Sequence, residues 1–283
     1  MNKRVISLIA AFALGVAALA AAPPAMAGSA GVSKVAFGDS EASGTGNFAY
    51  VDKDCKRSRF SYPLILRMES YACSGATTAD LAGAGGQIDA AIAEGKLGAA
   101  TKYVTITAGV NDLAWQDTLL TCYADPDPTL PGGPCQVALG IAAGQLPGVA
   151  AGLAGAIAKI RVAAPGAKIL VTGYPLLFGK LGSSCSIGAL GGQKVTITPT
   201  VKVLANDAVT SLNAVIENVT NPLDAADRVE YVDVAAAFAG HSLCDTRTPW
   251  LHGVIGLPVL YDSSLHINVA GQYALAAAVW RQR

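Results

Sequence analysis

Lys34-Val35-Ala36-Phe37-Gly38-Asp39-Ser40 is an apolar run that stops at a glycine and leads into an acid and a serine. A run this short and this apolar predicts a strand buried on both faces, with Gly-Asp-Ser as the turn leaving its carboxyl end. Similar runs recur at residues 103–107, 168–172 and 229–234. Between them lie alanine-rich stretches of helical length, at 84–94, 146–164 and 201–219, with a last one at 269–283. Strands alternating with helices predict an α/β fold with a parallel central sheet covered on both sides. Two stretches interrupt the alternation. Residues 122–135 hold Pro126, Pro128, Pro131 and Pro134, and residues 182–192 are rich in glycine and serine. Both read as loops.

The amino terminus reads as a secretory leader over residues 1–27. Lys3 and Arg4 precede an apolar run from Val5 to about Ala22, and Ala25-Met26-Ala27 offers small residues for cleavage. Export, with the mature chain extracellular, is the expectation. No later segment approaches the roughly 20 apolar residues of a spanning helix, so stable membrane insertion is not expected. The remaining 256 residues, 28–283, are expected to form a single domain and a monomer. They carry 18 basic and 20 acidic side chains, a net charge of −2. That balance gives no footprint for nucleic acid and favours a small-molecule or lipid substrate.

All six cysteines lie in the mature part, and no CxxC pair is present. An even count in an exported chain favours disulfides over a zinc knuckle or a redox dithiol. Six cysteines allow 15 pairings. Sequence neighbours favour Cys55 with Cys73, Cys122 with Cys135, and Cys185 with Cys244.

Chemistry concentrates where strands end. Ser40 follows the first strand, at the edge where open parallel sheets bind ligands, although a serine after Gly-Asp also suits a plain turn. Gly109-Val110-Asn111-Asp112 follows the 103–107 strand in the same topological position. There the Asn111 amide can donate to a developing oxyanion, or it can cap the helix that follows. Gly75, in Cys73-Ser74-Gly75-Ala76-Thr77-Thr78, lets a backbone N–H approach a ligand with no side chain intervening. His266 precedes the terminal helix, and the other histidines are His241 and His252. It offers the near-neutral base that a serine nucleophile needs, with activity rising through the usual histidine range.

Taken in order, four blocks resemble the SGNH/GDSL hydrolases, particularly the secreted actinobacterial esterases and lipases. They are Phe37-Gly38-Asp39-Ser40, the stretch from Ala72 to Thr78, Gly109 to Asp112, and His266 with Asn268. The resemblance implies a flavodoxin-like three-layer sandwich and an acyl-enzyme mechanism. Ser40 is then the nucleophile and His266 its general base, and the oxyanion hole is formed by the Ser40 and Gly75 N–H groups with the Asn111 side chain. It implies carboxylic ester substrates, with a carbohydrate acetyl esterase and a non-catalytic binding protein on the same fold as alternatives. It requires no metal or organic cofactor.

The histidine block departs from the family pattern. Asp262 stands four residues before His266 rather than three, and Ile267 replaces the proline that often follows. Either Asp262 or the main-chain carbonyl of Ser263 is expected to orient the ring. Glu41, beside the nucleophile, is expected either to tune the local charge or, as the plainer reading, to be a solvated loop carboxylate. Leu113, Trp115, Leu119, Leu176, Leu177 and Phe178 follow strand ends and are candidates for an acyl groove. No serine has the flanking glycines of a GxSxG elbow, and no HExxH is present.

Overall fold

The computed structural model describes residues 30–223, 228–257 and 262–282; the expected leader lies outside them. Along the chain the strands are β1 (Lys34–Gly38), β2 (Tyr50–Asp52), β3 (Arg57–Ser58), β4 (Glu69–Ser70), β5 (Tyr103–Thr107), β6 (Lys168–Thr172), β7 (Cys185–Leu190), β8 (Gln193–Ile197), β9 (Val229–Val232) and β10 (Val254–Ile255). The helices are α1 (Ser40–Ser43), α2 (Tyr62–Ile65), α3 (Thr78–Ala82), α4 (Gln87–Ala93), α5 (Trp115–Ala124), α6 (Pro134–Ala163), α7 (Pro199–Thr220), α8 (Val234–Ala237) and α9 (Val269–Arg281).

The central sheet runs β4-β1-β5-β6-β9, every pairing parallel. Counting only its own strands, the order is second, first, third, fourth, fifth, which is the flavodoxin-like winding. Alternate side chains divide between the two helical layers. Val35, Phe37, Val104, Ile106, Ile169 and Val171 face one core with Leu153, Ile157 and Ile160 of α6 and Leu212 and Ile216 of α7. Leu170 and Val232 face the other with Tyr62 of α2, Phe238, and Leu275 and Val279 of α9. Each such side chain taken fully from water contributes roughly 1.5–3 kcal/mol, so both layers are firmly seated on the sheet. On the α9 side Thr105 and Thr107 hydrogen-bond the Tyr62 hydroxyl, and Thr107 pairs with Thr172 at 2.8 Å.

Several local expectations change. Residues 182–192 are not a loop: β7 and β8 form a hairpin, joined by Gly191 and Gly192 at φ +56° and +79°. Two positive φ values suit a two-residue turn whose twist matches the strands, which is why two glycines stand there. Ile187, Val195 and Ile197 then pack on Phe178, Val201 and Leu251. The 229–234 run ends its strand at Val232, because the Asp233 side chain caps α8 by accepting the Ala236 N–H at 2.9 Å.

Helix α6 begins at Pro134 rather than Leu146 and passes through Pro147, whose exposed position puts the missing donor on the solvent side. By length and composition it could cross a membrane, with hydropathy 1.6 in its most apolar window, of which 17% is buried. This corrects the expectation that no later segment approaches that length. Its second half lies against the sheet, while Val137 and Ile141 of its first half are exposed. The three disulfides are Cys55–Cys73, Cys122–Cys135 and Cys185–Cys244, as neighbour pairing predicts.

Candidate active site

Three blocks meet at the carboxyl ends of adjacent strands. Gly38 closes β1 at φ +154°, where a Cβ would lie 2.4 Å from the Thr107 carbonyl, so only glycine fits. Its backbone is held by Gln87, whose amide both donates to the Gly38 carbonyl and accepts the Gly38 N–H, each at 2.8 Å. Asp39 caps α1, accepting the Glu41 N–H at 2.9 Å. Ser40 is the first residue of that helix, 4% exposed. Its N–H therefore has no intrahelical partner.

The segment after β4 is tied to this turn by the Cys73 N–H, which donates to the Gly38 carbonyl at 2.9 Å, and by Ser74 N–H to Cys55 O at 3.0 Å. Gly75 follows at φ +84°, exposed, with open space where a side chain would stand. After β5, the Asn111 amide donates one hydrogen to the Ala76 carbonyl at 2.9 Å, leaving its second for a ligand. Asn111 makes no side-chain cap. Asp112 accepts Thr78 N–H at 3.0 Å and Thr78 hydroxyl at 2.6 Å, which fixes the glycine segment against the asparagine segment.

His266 is 4% exposed, its ring edge-on to Trp115 with centroids 6.0 Å apart. Both expected orienters prove to be engaged elsewhere. Asp262 is half exposed and pairs with Lys56 at 2.7 Å. The Ser263 carbonyl accepts the main-chain N–H of His266 at 3.1 Å. The oxygen facing Nδ1 is that of Ser264, at 3.2 Å. The cause lies in the tight turn of the 262–266 segment, where Leu265 at φ +67° lets the chain double back. A carbonyl accepts only from N–H, so Nδ1 carries the hydrogen and Nε2 is left as an acceptor. Burial lowers the His266 pKa to about 4, opposed by the Ser264 carbonyl and by Asp262. The ring is therefore neutral at ordinary pH.

Asn268 caps α9 through the Gly271 N–H and donates to Pro249 O at 2.9 Å, which fixes where the histidine segment ends. Tyr174, which the sequence reading did not include, and Glu41 both stand beside Ser40. The Tyr174 hydroxyl donates to Asp39 at 2.5 Å, and Glu41 is buried rather than solvated. Tyr174 follows β6, so the reasoning that singled out Ser40 and Asn111 at strand ends applies equally to it.

An apolar cleft lined by Ser40 and Glu41 runs between α5, α6 and α7. Its walls include Trp115 and Leu119 of α5, Leu139 of α6, and Val201 and Leu212 of α7. Of the groove candidates, Leu113, Trp115, Leu119 and Leu177 line it, whereas Leu176 does not and Phe178 belongs to the core beside the hairpin. Residues 201–212 of α7 span about 16 Å at 1.5 Å per residue.

The model of the GDSL-like lipase/acylhydrolase family matches residues 36–274. This chain belongs to that family. It is an ester hydrolase. Lipase 1 of Streptomyces coelicolor is 32% identical to it over 268 residues, covering 91% of this chain and 87% of that protein. The lipase of Streptomyces rimosus is 33% identical over 249 residues, covering 84% and 81%. The crystal structure of that extracellular lipase superposes with a TM-score of 0.71 at 31% identity, over 88% of this chain and 99% of that one. Phospholipase A1 of Streptomyces albidoflavus gives 0.72 at 29% identity, over 88% and 98%.

Proposed function

We propose that the chain is exported after loss of residues 1–27, that residues 28–283 act as one domain, and that it hydrolyses esters of extended apolar acyl groups through a Ser40 acyl-enzyme. The arrangement of His266 carries this reading: a neutral, buried imidazole with Nδ1 held by the Ser264 carbonyl and Nε2 free to accept a proton. Nε2 takes the Ser40 proton as Oγ attacks the ester carbonyl. The Ser40 and Gly75 N–H groups and the spare Asn111 hydrogen receive the charge on oxygen. On collapse, His266 returns the proton to the departing alcohol, and water then attacks the acyl-enzyme by the reverse path. Asp262 serves as a surface ion pair, and the orienter is a main-chain carbonyl.

The apolar cleft supports long-chain acyl over acetyl substrates, because its walls from Trp115 to Val201 offer an acetyl group almost no contact. Each buried methylene is worth about 0.8 kcal/mol, or roughly fourfold in kcat/KM, until the cleft is filled. Rates across nitrophenyl esters from acetate to palmitate test this. Rates that climb with chain length support it, and acetate as the fastest substrate refutes it.

A further inference from the structure

Glu41 follows the nucleophile directly, yet it is 9% exposed and lines the apolar cleft beside Ser40. Its carboxyl Oε2 accepts the N–H of Ile267, the residue after His266, at 3.2 Å. Its main-chain carbonyl accepts from Gln272 of α9 at 2.9 Å, and the Gln272 side chain in turn accepts the Tyr62 N–H at 2.8 Å. Side chain and main chain of one residue thus bind the nucleophile turn to the segment and helix that carry the histidine.

We propose that Glu41 is a positioning residue that sets His266 against Ser40, and that loss of its proton closes the alkaline side of the activity profile. The inference rests on the Ser40 and His266 reading above.

The neighbouring charges support it. Asp39 faces Glu41 from the same turn, Tyr174 binds Asp39 from the segment after β6, Tyr62 approaches from α2, and His266 lies beside Ile267. Lys56 and Asp262 neutralise each other on the exposed side of the histidine segment. Burial raises the Asp39 pKa to about 7, although the Tyr174 hydroxyl and the Glu41 and Ala42 N–H groups favour its charge. Glu41 has the Ile267 N–H alone, and burial with Asp39 beside it raises its pKa to about 8. Both carboxyls are raised by burial, and Glu41, with the single N–H and Asp39 beside it, keeps its proton to the higher pH of the two. A neutral carboxyl still accepts the Ile267 N–H, and it adds no negative charge beside an oxyanion that is itself about to form. Ionised, it opposes that oxyanion.

The test compares the full secreted enzyme with Glu41→Gln and Glu41→Leu, recording kcat and KM for a nitrophenyl ester across pH, with fluorophosphonate labelling of each protein in parallel. Wild type should lose about tenfold in kcat per pH unit above its alkaline limit. Glu41→Gln keeps an acceptor and cannot ionise, so it should stay within about threefold of wild type at neutral pH and lose the alkaline limb. Glu41→Leu cannot accept the Ile267 N–H, and should lose about tenfold or more in kcat with KM nearly unchanged. A Glu41→Gln enzyme with the wild-type alkaline limb overturns the proposal, even if the leucine variant does not fold. So does a folded leucine variant as active as the glutamine one. Wild-type enzyme that fails to label would instead indict the Ser40 reading.

Discussion

Replacing Asp262 by Asn isolates the question of what orients His266. The carboxylate pairs with Lys56 at 2.7 Å, and the two side chains are 54% and 34% exposed. Exposed pairs of this kind contribute about 0–1 kcal/mol, so loss of the pair should leave the fold and its melting temperature nearly unchanged. The carboxylate also helps His266 hold a proton, although burial and the Ser264 carbonyl both act on the ring more strongly. Removing it should lower the acid limb slightly. At neutral pH, where the ring is already neutral, turnover should fall by no more than about fivefold, since an exposed charge contributes 1 kcal/mol or less. In Ser-His-Asp proteases the equivalent Asp→Asn change costs about 10⁴ in kcat, because the tautomer is lost. The two outcomes differ by more than three orders of magnitude. Steady-state hydrolysis of a nitrophenyl ester, with circular dichroism to show folding, separates them. A folded Asp262→Asn enzyme that has lost a thousandfold or more would refute the main-chain orienter.

Asn111→Ala should lower kcat by about 10²–10³ with little change in KM, because its second amide hydrogen is spent on charge that exists only in the transition state; an unchanged kcat would remove it from the oxyanion hole. A histidine of ordinary pKa would put the acid limb of activity near 6.5, whereas burial of His266 moves it to about 4. Turnover should therefore be level from about pH 5 to neutrality and fall below that, and a pH-rate profile with its limb near 6.5 would contradict the buried ring. The same shift affects stability: between about pH 4 and 6.5 the unfolded chain binds a proton that the folded chain does not, so this group's contribution rises with pH by roughly 3 kcal/mol. A His266→Gln variant should show a correspondingly weaker pH dependence of denaturant midpoint over that window. Replacing Cys55 and Cys73 together by Ser should cost about 3 kcal/mol for a bridge spanning 18 residues. It should also lower kcat, since Cys55 O holds the Ser74 N–H beside Gly75; a variant that melts early yet turns over normally would separate the bridge from the site.

The strands at 103–107 and 168–172 coincide with the expected runs residue for residue, because continuous apolarity bounded by turn residues has few other folded solutions. The hairpin at 185–197 was hidden by its glycines and serines. Its signal was the Gly191-Gly192 pair, followed by the alternation of Val195 and Ile197. Proline and glycine likewise masked the first half of α6. Ser40, Gly75 and Asn111 could be placed from sequence because each follows a strand, and parallel strands deliver such residues to one edge. Glu41 stood out beside the nucleophile, but its burial could not be read, since that depends on α9 and Gln272, more than two hundred residues away. For His266 a main-chain carbonyl was among the expected partners, but not which one: whether Ser263 or Ser264 faces Nδ1 turns on the backbone angle at Leu265.

The central claim is that Ser40 is the nucleophile, and covalent trapping tests it most directly. The purified enzyme would be treated with a fluorophosphonate, digested, and the adduct mapped by mass spectrometry. One adduct is expected, on the peptide containing Ser40, with labelling that stops when Ser40 is replaced by Ala. An active enzyme that takes no label, or that carries it on another serine, would contradict the account.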